Sequence, residues 1–570
     1  MKTISVLGFL VILFTNVLIA SPGDSVGTTS LDWQRASSFG QRAYVDDGHH
    51  VHITWMKNSF PSSNYAQRRM EWNFRYADGS YFGEMDASPF TSGYGMLDVT
   101  RDSNPAMQRT VLCWQFNTGT NAFYPFMDID AGNGFGCLPN DPKNPPNSNN
   151  MLWPTVARVN NGNTLLATDD NNDNFHHLFV TTDDGITWTN PANLDSTATI
   201  SQFLRSSNNP GSNRVVFVDT KFLTDSFASG QLDNDVYYML STDGGVAWGS
   251  YTNITHYQPS DTIRACGGTN AVFDLNNNLH IAWTGRHIIA GNYLDASKIF
   301  HWDEVSNTIS VVSGPTSIFP GGWWGWDHPH GYGSWRLPAD EPQLVVDRTT
   351  GWIYCLWHGQ DDTSDYSLAG WPNGDIYGAV SSDGGLTWHA ASSNGYYVNL
   401  TNTHTPGGLP GQCEDEDYMT ANPFTVGDSI FITYIEDKDA GAFPMNEGDT
   451  TNNIVRLWVF HKSLITGVPT VEEKKSAKPS ITDLNIYPNP FRNATSLSIV
   501  HSAQSMELKI YEVSGRLMKS FSMPYALSPM PLALIWLGDD INGNALPAGV
   551  YVCQLTDGNK ILTRKIIKLE

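Results

Sequence analysis

The sequence predicts an all-β chain in which about seven four-stranded units stand side by side as a β-propeller, with six as the alternative, followed by a small β-sandwich. Three observations predict it. An eight-residue pattern occurs three times, as Thr181–Trp188 (TTDDGITW), Ser241–Trp248 (STDGGVAW) and Ser381–Trp388 (SSDGGLTW). Short alternating strands separated by Gly, Asn and Asp turns recur from residue 41 to about residue 465, a strand period and not a helical one. The composition, 40% hydrophobic and 12% aromatic with 50 Gly and 31 Pro, is that of a turn-rich β protein and not of a helical bundle or a disordered chain.

Each copy of the pattern reads as a hairpin turn. The Asp carboxylate accepts backbone N–H groups across the turn, Gly supplies a positive φ, and Trp plugs the space beneath. Sixty residues separate Asp183 from Asp243, one unit, and 140 separate Asp243 from Asp383, two units of 70. The skipped unit holds Lys298–Val312 (KIFHWDEVSNTISVV), a hairpin without the pattern. Inner strand pairs are read at Ala43–Trp55, Val156–Ala167, Ala271–Trp283, Leu344–Trp357 and Asn422–Tyr434. With the Asp78-Gly79 turn and the strands at Thr110–Trp114 and Ile454–Phe460 they bring the count to about seven,. The three copies resemble the Asp-box, S/T-x-D-x-G-x-T-W, of the sialidase-like (BNR-repeat) β-propellers. In that family the boxes lie on the face opposite the active site. The resemblance therefore implies a structural role for Asp183, Trp188, Asp243, Trp248, Asp383 and Trp388.

A chain of 570 residues exceeds one ordinary core, so a second, smaller domain is expected. Residues 1–20 carry Lys2, the apolar run Ile4–Phe14 and then small or polar residues, the pattern of a secretory signal peptide, although Leu18 stands where a cut after Ala20 prefers a small residue. The expected organisation continues with a leader at 21–40, the propeller at 41–465, a charged linker at 466–481 and the sandwich at 482–570. No later run reaches membrane-spanning length. The 33 Lys and Arg against 57 Asp and Glu give a net charge of −24, which repels phosphate backbones, so nucleic acid is not an expected partner. Six cysteines without a CxxC pair indicate neither a zinc site nor a disulfide scaffold. Cys113 and Cys355 sit in apolar strands, and export would permit a bridge such as Cys113 to Cys137. No cofactor is expected.

After the linker the motifs change to YPNPF (Tyr487–Phe491), WLGD (Trp536–Asp539) and LPAGVY (Leu546–Tyr551). They resemble the C-terminal sorting domain of type IX secretion substrates and the related Ig-like domain of flagellar-hook-capping type. The resemblance implies an Ig-like sandwich, contact with outer-membrane secretion machinery, and a secreted or surface-attached bacterial protein.

If the boxes mark one face, the long loops lie on the other, and binding is expected there. The loop Gly321–Trp335 (GGWWGWDHPHGYGSW) offers Trp323, Trp324, Trp326 and Tyr332 as flat faces for sugar rings, with Asp327, His328 and His330 able to bond hydroxyls,. The same tryptophans would equally suit a hydrophobic plug. His328 and His330 lack a third ligand in sequence, so no metal site is expected. Leading ends of the innermost strands carry Arg42, Arg205, Arg264, Glu341, Asp417 and Tyr418. In sialidases three arginines clamp the substrate carboxylate, an Asp is acid/base and a Tyr paired with a Glu is the nucleophile. The resemblance would give Arg42, Arg205 and Arg264 the first role, and Tyr418, Glu341 and Asp417 the chemistry. The family's F/Y-R-I-P motif is absent, and its nearest strings are Gln41–Tyr44 and Phe74–Tyr76. Three functions stay open: an exported propeller that binds glycan or another extracellular ligand, an exo-acting sialidase-like glycoside hydrolase, and a structural adhesion protein.

Overall fold

β-Branched and aromatic runs punctuated by Gly and Asn turns leave little room for helix. The computed structural model is accordingly almost all strand, with one four-residue α-helix at Ser463–Thr466 among the described residues. Those residues are 20–35, 40–119, 122–131, 138–172, 175–196, 201–222, 234–258, 260–289, 292–314, 329–360, 362, 364–467, 483–500, 506–512, 514, 516–523, 532–556 and 561–569. Residues 1–19 of the expected signal peptide, Cys137, Trp323, Trp324, Trp326, Asp327, His328 and most of the 466–481 linker lie outside them. The chain divides into two compact units, Met1–Val468 and Pro469–Glu570.

In the first unit antiparallel meanders follow one another in chain order. The first runs from Ala43–Val45 to Met85–Asp86, the second from Ser92–Val99 to Phe123–Ile129, and the third from Met151–Arg158 to Thr189–Ser196. A nine-stranded sheet joins the fourth, which begins at Phe203–Ser206, to the fifth, which begins at Asn270–Phe273, through the bridging strand Ile263–Ala265. The sixth starts at Ala339–Val346 and the seventh at Asp415–Ala421. The fifth, between the box turns of the fourth and sixth, holds the hairpin of Asn292–Asp303 with Thr308–Val311. First strands of successive meanders adjoin, and the first strand of the seventh adjoins that of the first, so the circuit closes.

The segment read as a leader closes that circuit. Asp24–Thr29 pairs with Asn453–His461, from Asp24 opposite Leu457 to Thr29 opposite Asn453, and forms the outer strand of the seventh meander. One sheet is thus built from both ends of the unit, which ties the termini by backbone hydrogen bonds. Apolar residues fill the gaps between meanders; Val345, Tyr354 and Leu356 of the sixth pack with Met419, Ile432 and Tyr434 of the seventh.

All three box turns share one hydrogen-bond pattern. At Ser381–Trp388 the Ser381 hydroxyl donates to Asp383 Oδ1 at 2.7 Å, Gly385 N–H donates to Ser381 Oγ at 2.8 Å, Thr387 N–H donates to Asp383 Oδ1 at 3.0 Å, and Trp388 Nε1–H donates to Gly385 O at 3.1 Å. Gly384 and Gly385 have φ of 76° and 92°, which a side chain would strain. Trp388 also donates to Ser310 Oγ at 3.0 Å, so this box pins the sixth meander to the fifth.

The innermost strands share a second device. Register slips occur between Gly93 and Met96, opposite Trp153, between Asp340 and Gln343, and between Asp417 and Thr420. Within them Tyr94, Trp153, Glu341 and Tyr418 take φ of 55°, 48°, 57° and 53°. A bulge of this kind re-aims a side chain. Holding a bulky residue at positive φ costs on the order of 1–3 kcal/mol.

In the C-terminal unit a three-stranded sheet (Asp483–Tyr487, Thr495–Val500, Leu532–Trp536) and a four-stranded one (Leu517–Met523, Met506–Glu512, Gly549–Thr556, Ile561–Lys568) enclose Leu497, Leu508, Ile510, Trp536, Cys553 and Leu555. The sequence motifs meet there. Phe491 lies 5.4 Å from the Trp536 ring, Trp536 Nε1–H donates to Asp539 O at 2.9 Å, and the Tyr551 hydroxyl donates to Pro547 O at 2.7 Å.

Candidate active site

Six parts of the chain, four strands and two connecting segments, converge on one buried polar cluster. The strand Ala339–Val346 supplies Asp340 and Glu341, and Asp415–Ala421 supplies Asp415, Asp417 and Tyr418. His358 comes from Ile353–Gly359 and Asp437 from the end of Ser429–Asp437. Asp32 and Arg35 follow the closing strand, and Arg336 precedes the sixth meander. The bulges present Glu341 and Tyr418, which leave only 5% and 4% of their surfaces exposed.

Two arginines organise the cluster. Arg336 forms a bidentate pair with Asp417, Nη1 to Oδ1 at 2.7 Å and Nη2 to Oδ2; it donates to the Tyr418 hydroxyl at 3.3 Å, lies 3.5 Å from Asp415 Oδ2, and faces the Tyr418 ring at 5.2 Å. Arg35 Nη1 lies 3.0 Å from Asp340 Oδ2 and 2.6 Å from Glu341 Oε1. Thr284 and the Glu341 N–H donate to Asp340 Oδ1 at 2.7 and 2.9 Å. Arg42 donates to Gln34 Oε1 at 2.6 Å and to Gly95 O at 3.3 Å.

Carboxylates outnumber these arginines, so burial sets most of the proton affinities. Burial, only partly offset by Arg35, pushes the Glu341 carboxyl up to about 7. Burial lifts Asp32 to about 8 against the Phe443 N–H it accepts. Asp415 and Asp437 are driven well above the carboxylate range by burial and by the acids beside them. Burial raises the Tyr418 phenol, with Arg336 opposing and the charges of Asp417 and Glu341 adding to the rise. Arg42, desolvated in the field of Glu341 and Tyr418, falls to about 9. Perturbed groups gathered on strained backbone mark a functional site more often than a packing core.

His358, Asp415 and Asp417 offer three ligand atoms within 4.8 Å of one another, the kind of trio that holds a divalent cation. The positive charge these carboxylates face is the Arg336 guanidinium, which already bonds both Asp417 oxygens. The residues therefore fit an arginine-neutralised cluster better than a metal centre.

Of the residues singled out in sequence, the structure brings Tyr418, Glu341, Asp417 and Arg42 together. Arg205 and Arg264 lie elsewhere: Arg205 donates to Ala271 O at 3.1 Å and to Gln41, while Arg264 donates to the carbonyls of Asp261 and Ile263 at 2.9 and 2.7 Å. Asp417 is locked in its arginine pair, which suits a positioning role. Tyr332 is buried, and His330 is exposed with its ring 5.0 Å from Trp371. Sequence reasoning missed Arg336, Arg35, Asp340, Asp32, His358 and Asp437. No spacing marks them, because they meet only when the circuit closes.

The family model for the secretion system C-terminal sorting domain matches residues 485–569. No curated protein matches the chain. Similar solved structures include an ulvan lyase of polysaccharide lyase family PL25, at 10% identity over 78% of this chain and 95% of that one with a TM-score of 0.48. A Hadza microbial sialidase shares 13% identity over 76% of this chain and 67% of its own, TM-score 0.34. A GH74 enzyme of Niastella koreensis shares 12% over 96% and 74%, TM-score 0.38. No helix among the described residues is long and apolar enough to cross a membrane. The sorting domain, which engages secretion machinery, makes this a secreted or cell-surface protein.

Proposed function

We propose that the first unit is a seven-bladed β-propeller acting on extracellular glycan, a sialidase-like glycoside hydrolase in which Tyr418 and Glu341 are the reacting pair. The observation that carries this reading is their joint placement. Both are buried at positive φ on neighbouring innermost strands, and the charge of Glu341 bears on the Tyr418 hydroxyl. Glu341, near neutrality in its proton affinity, accepts the phenolic proton as Tyr418 attacks the anomeric carbon; the glycosidic C–O bond breaks, the leaving oxygen takes a proton from water, and a second water displaces Tyr418, which recovers its proton from Glu341. Arg336, 3.3 Å from that hydroxyl, steadies the phenolate, and Asp417 holds Arg336 in place. Arg42, buried in the field of Glu341 and Tyr418 and bonded to Gln34, is the cation this reading assigns to an acidic sugar. The test is release of fluorophore from a panel of fluorogenic glycosides that includes sialosides. Tyr418→Phe is expected to abolish release while the fold persists, and a wild-type chain that cleaves none of the panel overturns the reading.

Glycan binding without turnover is the second reading. It is favoured by the arginine pairing of Glu341 and Asp417 and by the exposed His330 beside Trp371. Retention on a glycan array without hydrolysis, lost in Trp323→Ala and Trp326→Ala, would support it.

A further inference from the structure

The N-terminal segment carries a feature that hydrolysis does not need. Ala20 is exposed and Ser21 is 5% exposed, so the chain passes from solvent into the protein at the bond between them. The Ser21 N–H donates to Glu414 Oε2 at 2.7 Å. Its hydroxyl donates to the same oxygen at 3.2 Å and to Glu416 Oε1. Glu416 is fully buried and accepts the Thr403 hydroxyl at 2.9 Å, so its two oxygens are met by hydroxyls, Oε1 by Ser21 and Oε2 by Thr403. Lys438 stands 3.9 Å from the other oxygen of Glu414. Tyr434 donates to the carbonyl of Pro22, and Arg456 Nη1 donates to that of Gly23 at 3.0 Å, so this segment is held at successive residues. An amide nitrogen offers one hydrogen to this acidic pocket, whereas an ammonium offers three and a positive charge.

We propose that the Ala20–Ser21 bond is a processing site, and that the α-ammonium released there seats between Glu414 and Glu416 as a buried ion pair. In the step, water's oxygen bonds to the Ala20 carbonyl carbon and the C–N bond breaks. The new carboxyl gives up a proton and the new amine takes one, so charge and atoms balance; the catalyst is a leader peptidase of the exporting cell. Burying an ammonium is costly unless carboxylates meet it, and here two do. Glu416 lies between Asp415 and Asp417 on Asp415–Ala421, so the ion pair fastens the strand that carries the candidate site. This inference stands on the N-terminal contacts alone and holds whether or not the site turns over glycan.

The test uses the full chain exported with its own first 20 residues. Intact-mass and N-terminal sequencing are expected to find Ser21 first. Periodate oxidises an N-terminal serine to a glyoxylyl group only when its amine is free, and the folded protein is expected to react at least about tenfold more slowly than the same protein in denaturant, since attack must await local opening. The Glu414→Gln, Glu416→Gln double variant is expected to lose that protection. A chain made with one alanine ahead of Ser21 is expected to unfold at a lower denaturant concentration than the processed form. An N-terminus elsewhere, or equal oxidation rates folded and denatured, overturns the proposal; the wild-type comparison decides it even if the double variant fails to fold.

Discussion

His176 offers a direct measurement of how neighbouring meanders are joined. It is fully buried on Phe175–Thr181, where its Nδ1 meets Asp169 of the adjacent strand and its Nε2 lies 2.9 Å from Asp219 Oδ2 of the fourth meander. Tyr251 donates to the same Asp219 oxygen at 2.9 Å. Burial opposes the imidazolium, but Asp219 and then Asp169 outweigh it and push the histidine up to about 10, from 6.5 in the open chain. At 1.36 kcal/mol per pH unit that difference bounds the contribution at roughly 5 kcal/mol. Burial also lifts the Asp169 carboxyl, so the net value is lower. Breaking a buried ionic pair typically costs about 3–5 kcal/mol. His176→Phe, which keeps a ring but removes the two nitrogens that meet Asp169 and Asp219, is expected to cost about 3 kcal/mol near pH 6, on the order of 150-fold in the folded-to-unfolded ratio. Because the folded-state value is raised, the contribution is complete below about pH 6.5 and fades as pH rises toward 10,. Urea unfolding followed by tryptophan fluorescence at pH 6 and 9.5 measures it, since every tryptophan but Trp536 lies in the first unit. A gap between wild type and variant that is the same at both pH values, or absent at pH 6, refutes the reasoning.

Other outcomes follow from the same geometry. If Glu341 takes the proton, turnover rises through about pH 7 as its carboxyl ionises, and Glu341→Gln removes that limb of the pH–rate profile as well as most of the rate. Arg336→Met leaves Asp417 buried without its bidentate partner; an expected loss of about 3–5 kcal/mol in urea unfolding should be relieved when Asp417→Asn is added. Trp388→Ala removes a 7% exposed plug and its bond to Ser310; stability is expected to fall by about 3–5 kcal/mol while turnover per folded molecule is unchanged, because the turn follows Ser381, opposite Ile353, whereas His358 of the candidate site pairs with Ile376 at the other end of the same strands.

Local chemistry explains what could be read from the chain alone. The strand period, the Asp-Gly turns and the YPNPF, WLGD and LPAGVY motifs are short-range patterns, each specified by residues within a few positions of one another. They were enough to place the all-β class, the repeating hairpins, the box turns and the sorting domain. Tyr418, Glu341 and Asp417 stand out in the sequence as titratable residues at the start of inner strands against apolar neighbours; their roles stay a proposal.

The rest depends on distance in sequence that folding removes. Arg35 meets Glu341 across 306 positions, Arg336 meets Asp417 across 81, and Ser21 meets Glu414 across 393. Nothing local marks such partners, so the sequence singles out Arg205 and Arg264 and passes over Arg336. The bulges at Glu341 and Tyr418 are likewise invisible in sequence, because a bulky side chain at positive φ is held there by the surrounding sheet and not by its own preference. Sequence determined the turns, strands and sorting-domain motifs because those are local energies; only the closed tertiary circuit decided which charges face one another, because that is set by which strands the closure makes neighbours.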